Sequence, residues 1–302
     1  MAAIELVNVS KRYGRHQAIQ ELNLKVEKGE MFGFLGPNGA GKTTTIRLLL
    51  GLLKPESGQV HLFGYPVGPE TLFLRGRLGY LPDIAKIDGG FRGEEWLDYL
   101  AALQPENYNP DYRKYLCEQL DLPASVRERR IKTYSRGTRQ KLAIIQALQH
   151  QPDLIIMDEP TEGLDPLAKR SLFKLLQEAQ AQGATIFFSS HILSEVEKLC
   201  DRVALIRAGK LVALDSIAAL RDRQARRIEL QFENEKAVTP ALREQLENVA
   251  AQGNGELQVE GLRWRMTLKG NLTPLLKALA AHSIKDIVIE PADLEEIFLS
   301  YY

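Results

Sequence analysis

The sequence predicts an α/β fold, a parallel sheet covered by helices, followed by a smaller α+β unit. Residues 31–35, 154–157 and 184–188 are short, almost continuous apolar runs, as expected of strands buried on both faces. Segments of helical periodicity lie between them, and strands alternating with helices imply parallel strands joined by crossover helices. The smaller unit rests on a change of character: residues 215–227 turn polar and arginine-rich, and a new run of strand and helix patterns follows.

In chain order, residues 4–9 read as a strand, with Ile4 and Leu6 in one phase and Val7 and Val9 out of it. Residues 19–26 form a second strand, and Lys28-Gly29-Glu30 a turn before the buried run at 31–35. A glycine-rich stretch at 36–41 opens a helix over 42–53 that closes near Pro55. Trp96, Leu97, Leu100 and Leu103 keep helical spacing, as does 112–120, so 85–130 is a helical insert. A helix over 169–182 joins the last two buried strands. Past the boundary come a strand (228–232), a helix (240–251), two hairpin strands (256–259, 264–268), a helix (272–282), a strand (287–289) and a last helix (294–301). That order suits a ferredoxin-like α+β unit. The expected domains are 1–220, with a helical subdomain at about 85–150, and 221–302.

A chain of 302 residues accommodates one large and one smaller domain. Its 39 basic and 39 acidic side chains cancel, so no global field draws it to nucleic acid or anionic lipid. Cys117 and Cys200 are far apart and suggest neither a disulfide framework nor a zinc site, in keeping with a reducing cytoplasm. The opening residues lack signal-peptide character, and the longest apolar runs fall short of the roughly 18–20 residues that span a bilayer. The expectation is a soluble chain whose membrane role, if any, comes through a partner.

Residues 36–43, Gly36-Pro37-Asn38-Gly39-Ala40-Gly41-Lys42-Thr43, fit G-x-x-x-x-G-K-[ST] between a strand and a helix, the context a phosphate-binding loop requires. Glycines let backbone N–H groups converge on phosphate oxygens, and the helix adds the positive end of its dipole. Lys42 suits the β and γ phosphates of ATP, and the Thr43 hydroxyl suits Mg²⁺. Ligand sites in parallel sheets form beyond the carboxyl ends of strands. The second run ends in Asp158-Glu159 and the third in Ser189-Ser190-His191. Asp158 is expected to hold Mg²⁺ through water. Glu159, pointing the other way on an extended chain, is free to orient or deprotonate the attacking water. His191 is placed to contact the γ-phosphate.

Residues 133–141 precede an apolar-periodic helix (Leu142, Ile145, Leu148), with Ser135 as N-cap candidate and Gly137 leaving room for a phosphate. Alone, this reads as helix capping. Taken in order with the other motifs, the chain resembles the nucleotide-binding subunits of ABC transporters over about residues 4–220. Tyr13 resembles the aromatic that stacks on adenine, and 36–44, with Thr44, matches the P-loop. Residues 134–138 resemble the signature segment L-S-G-G-Q, and 154–159 match the Walker B strand. Gly163-Leu164-Asp165 resembles the D-loop, and His191 the switch histidine.

The resemblance implies a P-loop NTPase core with an antiparallel β subdomain and a helical subdomain. It also implies a head-to-tail pair in which Ser135 and Gly137 cap ATP held on the partner's Lys42, with Asp165 at the seam. A separate membrane-embedded permease would then hold the pair at the cytoplasmic face, with no nucleic-acid partner. Three departures stand out. Tyr134, Arg136 and Thr138 replace the usual Leu, first Gly and Gln of the signature. Asp83 follows Gly79-Tyr80-Leu81-Pro82, where the family carries its Q-loop glutamine; its carboxylate can still reach Mg²⁺. The tail after Asp215 resembles that of two-component exporters of drugs, lipids or polysaccharides.

Against rival classes, translation factors of this type carry two cassettes, and repair ATPases insert a coiled coil longer than 85–130. Asp83 and the tail argue against an importer. The signature segment and His191 argue against a P-loop kinase or GTPase. The basic clusters 127–130 and 221–227 read as solvated helix faces. Trp96, Tyr99 and Leu100 read as core, with a docking groove for a permease helix as the sharper alternative. Trp264 reads as core.

Overall fold

The computed structural model describes residues 2–83, 87–103, 108–222, 225–234, 237–252, 256–269 and 271–291. It divides into two compact units, Met1–Asp215 and Ser216–Tyr302. The expected helix at 294–301 lies outside the described residues.

In the first unit, β1 (Ala2–Tyr13), β2 (His16–Glu27), β4 (Ser57–Leu62) and β5 (Tyr65–Pro66) form a sheet in the order β2-β1-β4-β5, with β1 antiparallel to both neighbours. The break in phase seen in the sequence is a bulge. The register of β1 on β2 shifts between Leu6 and Val9, where Asn8 has φ 49°. Ile4, Leu6 and Val9 are therefore buried, and Val7 is turned outward.

The second sheet has the order β10-β9-β3-β8-β7-β6, made of β3 (Met31–Leu35), β6 (Leu78–Leu81), β7 (Leu154–Asp158), β8 (Thr185–Ser190), β9 (Arg202–Arg207) and β10 (Lys210–Ser216). From β9 through β6 the neighbours are parallel. Every residue of β3, β7 and β8 is buried, which accounts for their unbroken apolar sequences. The two sheets and α1 (Lys42–Leu49) share one core that includes Ile4, Leu6, Ile19, Phe34, Ile46, Ile156 and Phe187.

The helix α1 stops short of the expected residue 53. Gly51 takes φ 65°, its N–H bonds Leu48 O, and the Leu52 N–H reaches back to Arg47 O. Paired 5→2 and 6→1 bonds around a left-handed glycine form a Schellman cap. The helical insert contains α2 (Gly93–Ala102), α3 (Pro110–Gln119) and α4 (Ala124–Arg127), followed by α5 (Arg136–Leu148).

Two expectations about this insert are corrected. Arg127 is not on a solvated face: its side chain is 17% exposed and its Nε lies 2.5 Å from Glu94, a carboxylate that Arg113 also pairs at 3.2 Å. Trp96 and Tyr99 form a partly exposed aromatic cluster with Phe91, with Trp96 Nε1 bonded to Gln146 Oε1 at 2.7 Å.

The second unit contains α8 (Ile217–Asp222), β11 (Ala225–Phe232), α9 (Pro240–Gln252), β12 (Leu257–Glu260), β13 (Arg263–Lys269), α10 (Thr273–Leu279) and β14 (Ile284–Pro291). Its sheet runs β12-β13-β11-β14 with all neighbours antiparallel, the ferredoxin-like order. Trp264 is fully buried against Phe232 in its core.

Candidate active site

The parallel registers bring four strand ends to one edge. Leu35 of β3 pairs with Ser190 of β8, Asp158 of β7 pairs with Ser189, and Leu81 of β6 pairs with Met157. The next residues along each chain are Gly36, His191, Glu159 and, past Pro82, Asp83. The sequence suggested three converging ends. The fourth came through β6, whose place beside β7 is set by non-local pairing.

The loop at 36–41 is pressed into the molecule on one side and open on the other. A Cβ on Gly41, at φ 112°, would fall 2.7 Å from Ile19 Cδ1 and 2.8 Å from Ala18 O, so the loop lies against β2. A Cβ on Gly36 would meet Ile206 O at 2.4 Å. The Gly209 N–H donates to Ala40 O at 2.9 Å, and the Gly36 N–H to Ser190 O at 3.3 Å. Asn38 and Gly39 are exposed at the crest. Gly41 is the N-cap of α1 and no side chain caps the helix, so its first N–H groups are available to an anion.

Lys42 is 6% exposed. Its Nζ donates to Gly36 O at 2.5 Å and lies 3.1 Å from Glu159 Oε1. Thr43 Oγ1 donates to Asp158 Oδ2 at 2.7 Å, and Thr44 is half-buried beside it in sequence. Ser189 Oγ donates to the other Asp158 oxygen at 2.6 Å, and Asp158 is 1% exposed. That second hydroxyl was missed, because nothing in the sequence says that β8 lies next to β7.

Glu159 departs from the strand alternation used to orient it. It takes φ 50°, turning the chain as β7 ends. Its Oε2 accepts from the His191 N–H at 3.3 Å and lies 2.8 Å from His191 Nδ1. His191 is thereby held by Glu159, and Nε2 is the ring nitrogen a ligand can reach.

Asp83 is half-buried. Burial and then the carboxylates of Asp158, Glu162 and Glu159 push its carboxyl above the usual range. The Thr43 hydroxyl and the carboxylates of Asp158 and Asp83 are hard oxygen donors, the chemistry a divalent magnesium ion takes.

Tyr13 ends β1 on the hairpin whose second strand touches Gly41. The residue is 44% exposed, with Lys11 Nζ 6.0 Å from the ring centroid.

The signature-like segment belongs to the start of α5. Ser135 is its N-cap: Oγ accepts from the Thr138 N–H at 3.1 Å and bonds the Thr138 hydroxyl at 2.8 Å. Each departure from the family pattern has a local partner. Tyr134 is buried and donates through its hydroxyl to Val126 O at 2.8 Å. Arg136 pairs with Glu162. A Cβ on Gly137 would fall 2.9 Å from Gly163 O, and Gln140 Nε2 donates to Pro160 O at 3.0 Å. The contacts of this segment thus run to loop 160–165. Asp165, expected at a seam, also caps α6 (Pro166–Ala181), accepting from the N–H groups of Leu167 and Ala168 at 3.0 and 2.9 Å. The Ala168 N–H foremost, then the charge of Lys141 and the Leu167 N–H, hold its carboxyl below the ordinary range.

Tyr134 fits only because Gly93 has no side chain, since a Cβ there would lie 2.2 Å from Tyr134 Oη. Gly93→Ala is therefore expected to lower stability by about 2 kcal/mol through overpacking. Adding Tyr134→Phe should recover part of the loss, as read from denaturant midpoints.

A glycine loop, an uncapped helix start and a hydroxyl–aspartate pair, all at one sheet edge, make the first unit a P-loop nucleotide-binding domain. The ABC transporter family model matches residues 19–162. The Nod factor export ATP-binding protein I of Cupriavidus pinatubonensis is 34% identical over an alignment of 304 positions that covers 99% of this chain and 90% of that protein. An uncharacterized ABC transporter ATP-binding protein of Synechocystis is 37% identical over 205 residues, 67% of this chain; the match spans 57% of that relative's length. A solved structure of the ATP-binding subunit of an ABC transporter superimposes with TM-score 0.66 at 31% identity, over 72% of this chain and 92% of its own. The chain belongs to the family of ABC transporter ATP-binding proteins.

Proposed function

We propose that this chain hydrolyses ATP to drive a separate membrane permease in an exporter. The observation that carries the reading is the juxtaposition of Lys42, Glu159 and His191 beside the Thr43–Asp158 bond. The N–H groups of Gly39, Ala40, Gly41, Lys42, Thr43 and Thr44, with Asn38 at the crest, wrap the phosphates, while Tyr13 stacks on adenine. Lys42 leaves Glu159 to meet the β and γ phosphates. Glu159 orients the attacking water and accepts its proton as the oxygen bonds to γ-phosphorus and the bond to the bridging oxygen breaks. His191 Nε2 contacts the γ-phosphate. Thr43, Asp158 and Asp83 would hold Mg²⁺, which when bound neutralises charge on the phosphates.

A single P-loop leaves one side of the γ-phosphate in water. In our reading a second copy, head to tail, covers it with Ser135 and Gly137, and hydrolysis removes the charge that holds the pair closed. The export direction rests on the relative named for Nod factor export and on the C-terminal unit. Among the described residues no helix is long and apolar enough to cross a membrane, and we assign the chain to the cytoplasmic face, held there by its permease.

Purified protein is expected to release phosphate from Mg-ATP and to co-purify with a membrane protein. Ser135→Arg should leave ATP binding to the single chain unchanged but prevent pairing, read by size exclusion in a Glu159→Gln background. An ATP-dependent pair that survives Ser135→Arg would exclude this capping arrangement.

A further inference from the structure

The hydrogen bond between Glu159 and His191 spans two loops, one after β7 and one after β8. A second bridge spans the same loops and has no part in the chemistry above. Thr161, two residues past Glu159, donates through Oγ1 to Glu195 Oε2 at 2.7 Å. Ser190, immediately before His191, donates through Oγ to the same oxygen at 3.2 Å, and its own oxygen accepts from the Ile192 N–H at 2.9 Å. Lys169 Nζ on α6 holds the other oxygen, Oε1, at 2.9 Å. Glu195 lies in α7 (Leu193–Leu199) and is only 6% exposed.

A buried carboxylate is costly unless a cation and hydrogen bonds compensate it, and once compensated it fixes the groups that do so. Here two of the compensating groups sit beside the reacting side chains, Thr161 in the loop after β7 and Ser190 at the end of β8, and the cation, Lys169, comes from α6. With the loop after β7 tied at Thr161 and the end of β8, next to His191, tied at Ser190, the separation of Glu159 from His191 is set from behind. Glu195 itself does not reach the ligand edge. Its contacts are to Thr161, Ser190 and Lys169.

We propose that Glu195 is a positioning residue for ATP hydrolysis, holding Glu159 and His191 in register through Thr161 and Ser190. This rests on the function proposed above. The bridge is made when the loops adopt the geometry described here, so its loss should act on turnover and leave nucleotide binding, which the P-loop supplies, as it was.

The test uses the full chain with Mg-ATP, measuring kcat, KM, Kd for a fluorescent ATP analogue, and the melting temperature. Glu195→Gln is expected to lower kcat by about 10- to 100-fold, the effect of a misplacement near 1 Å, with Kd within about two-fold of the parent's. Thr161→Val should lower kcat similarly, and Thr161→Ser, which keeps the hydroxyl, should restore it. If both act through one bond, the double variant Thr161→Val/Glu195→Gln falls no further than either alone. A lower melting temperature with unchanged kcat per folded chain would mean a purely structural role and overturn the proposal. Fully additive losses would overturn it too. Glu159→Gln serves as the control: if it abolishes turnover while Glu195→Gln does not lower it, only the positioning role fails. If Glu159→Gln hydrolyses at the parent rate, the underlying reading fails.

Discussion

Glu159→Gln is expected to bind ATP at least as tightly as the parent while turnover falls by about 100-fold or more, within the range contributed by a positioned general base. The two effects have separate causes. Glu159 Oε1 lies 3.1 Å from Lys42 Nζ, so the carboxylate competes with phosphate for the one buried ammonium of the P-loop. An amide of the same shape removes that competition. Its oxygen still accepts from the His191 N–H, now 3.3 Å away, so the two loops keep their spacing. What the amide lacks is basicity toward the attacking water. The triphosphate then persists, and paired chains should accumulate with Mg-ATP, seen by size exclusion. Turnover at the parent rate would remove Glu159 from the role assigned to it.

The sequence made the phosphate loop legible because its chemistry is local: consecutive residues supply the turns, the lysine and the helix start. The buried strands were legible for a related reason, since a strand covered on both faces has no polar phase to confuse. Where reading failed, the cause was a backbone or partner that local pattern does not encode. Val9 is buried on the same side as Ile4 and Leu6 because Asn8 carries a bulge, and α1 ends early because Gly51 goes left-handed. Glu159 was oriented by strand alternation, yet it turns at φ 50°. Arg127 looked solvated because Glu94, its counter-ion, lies on another helix of the insert. The insertion of β8 between β3 and β7 was invisible, and with it the Ser189–Asp158 bond and the buried knot at Glu195.

Lys42→Ala should weaken nucleotide binding by about 100-fold, the equivalent of roughly 3 kcal/mol for charge-assisted bonds to phosphate. The single variant alone is an impure experiment. Lys42 and Glu159 side chains are 6% and 10% exposed, and removing one partner of a buried pair strands the other charge. That stranding costs about 3–5 kcal/mol of stability, so a lost signal in a binding titration could reflect a damaged fold. The Glu159→Gln background separates the two. With an amide in place of the Glu159 carboxylate, Lys42→Ala no longer strands that charge, and the melting temperature should return toward that of Glu159→Gln. Affinity for a fluorescent ATP analogue should not return, because no other side chain of the loop carries positive charge to the β and γ phosphates. If the double variant regains both stability and affinity, Lys42 is a counter-ion to Glu159 and has no phosphate role. If it regains stability alone, the ammonium is there for the triphosphate, and its pairing with Glu159 is the contact that nucleotide displaces.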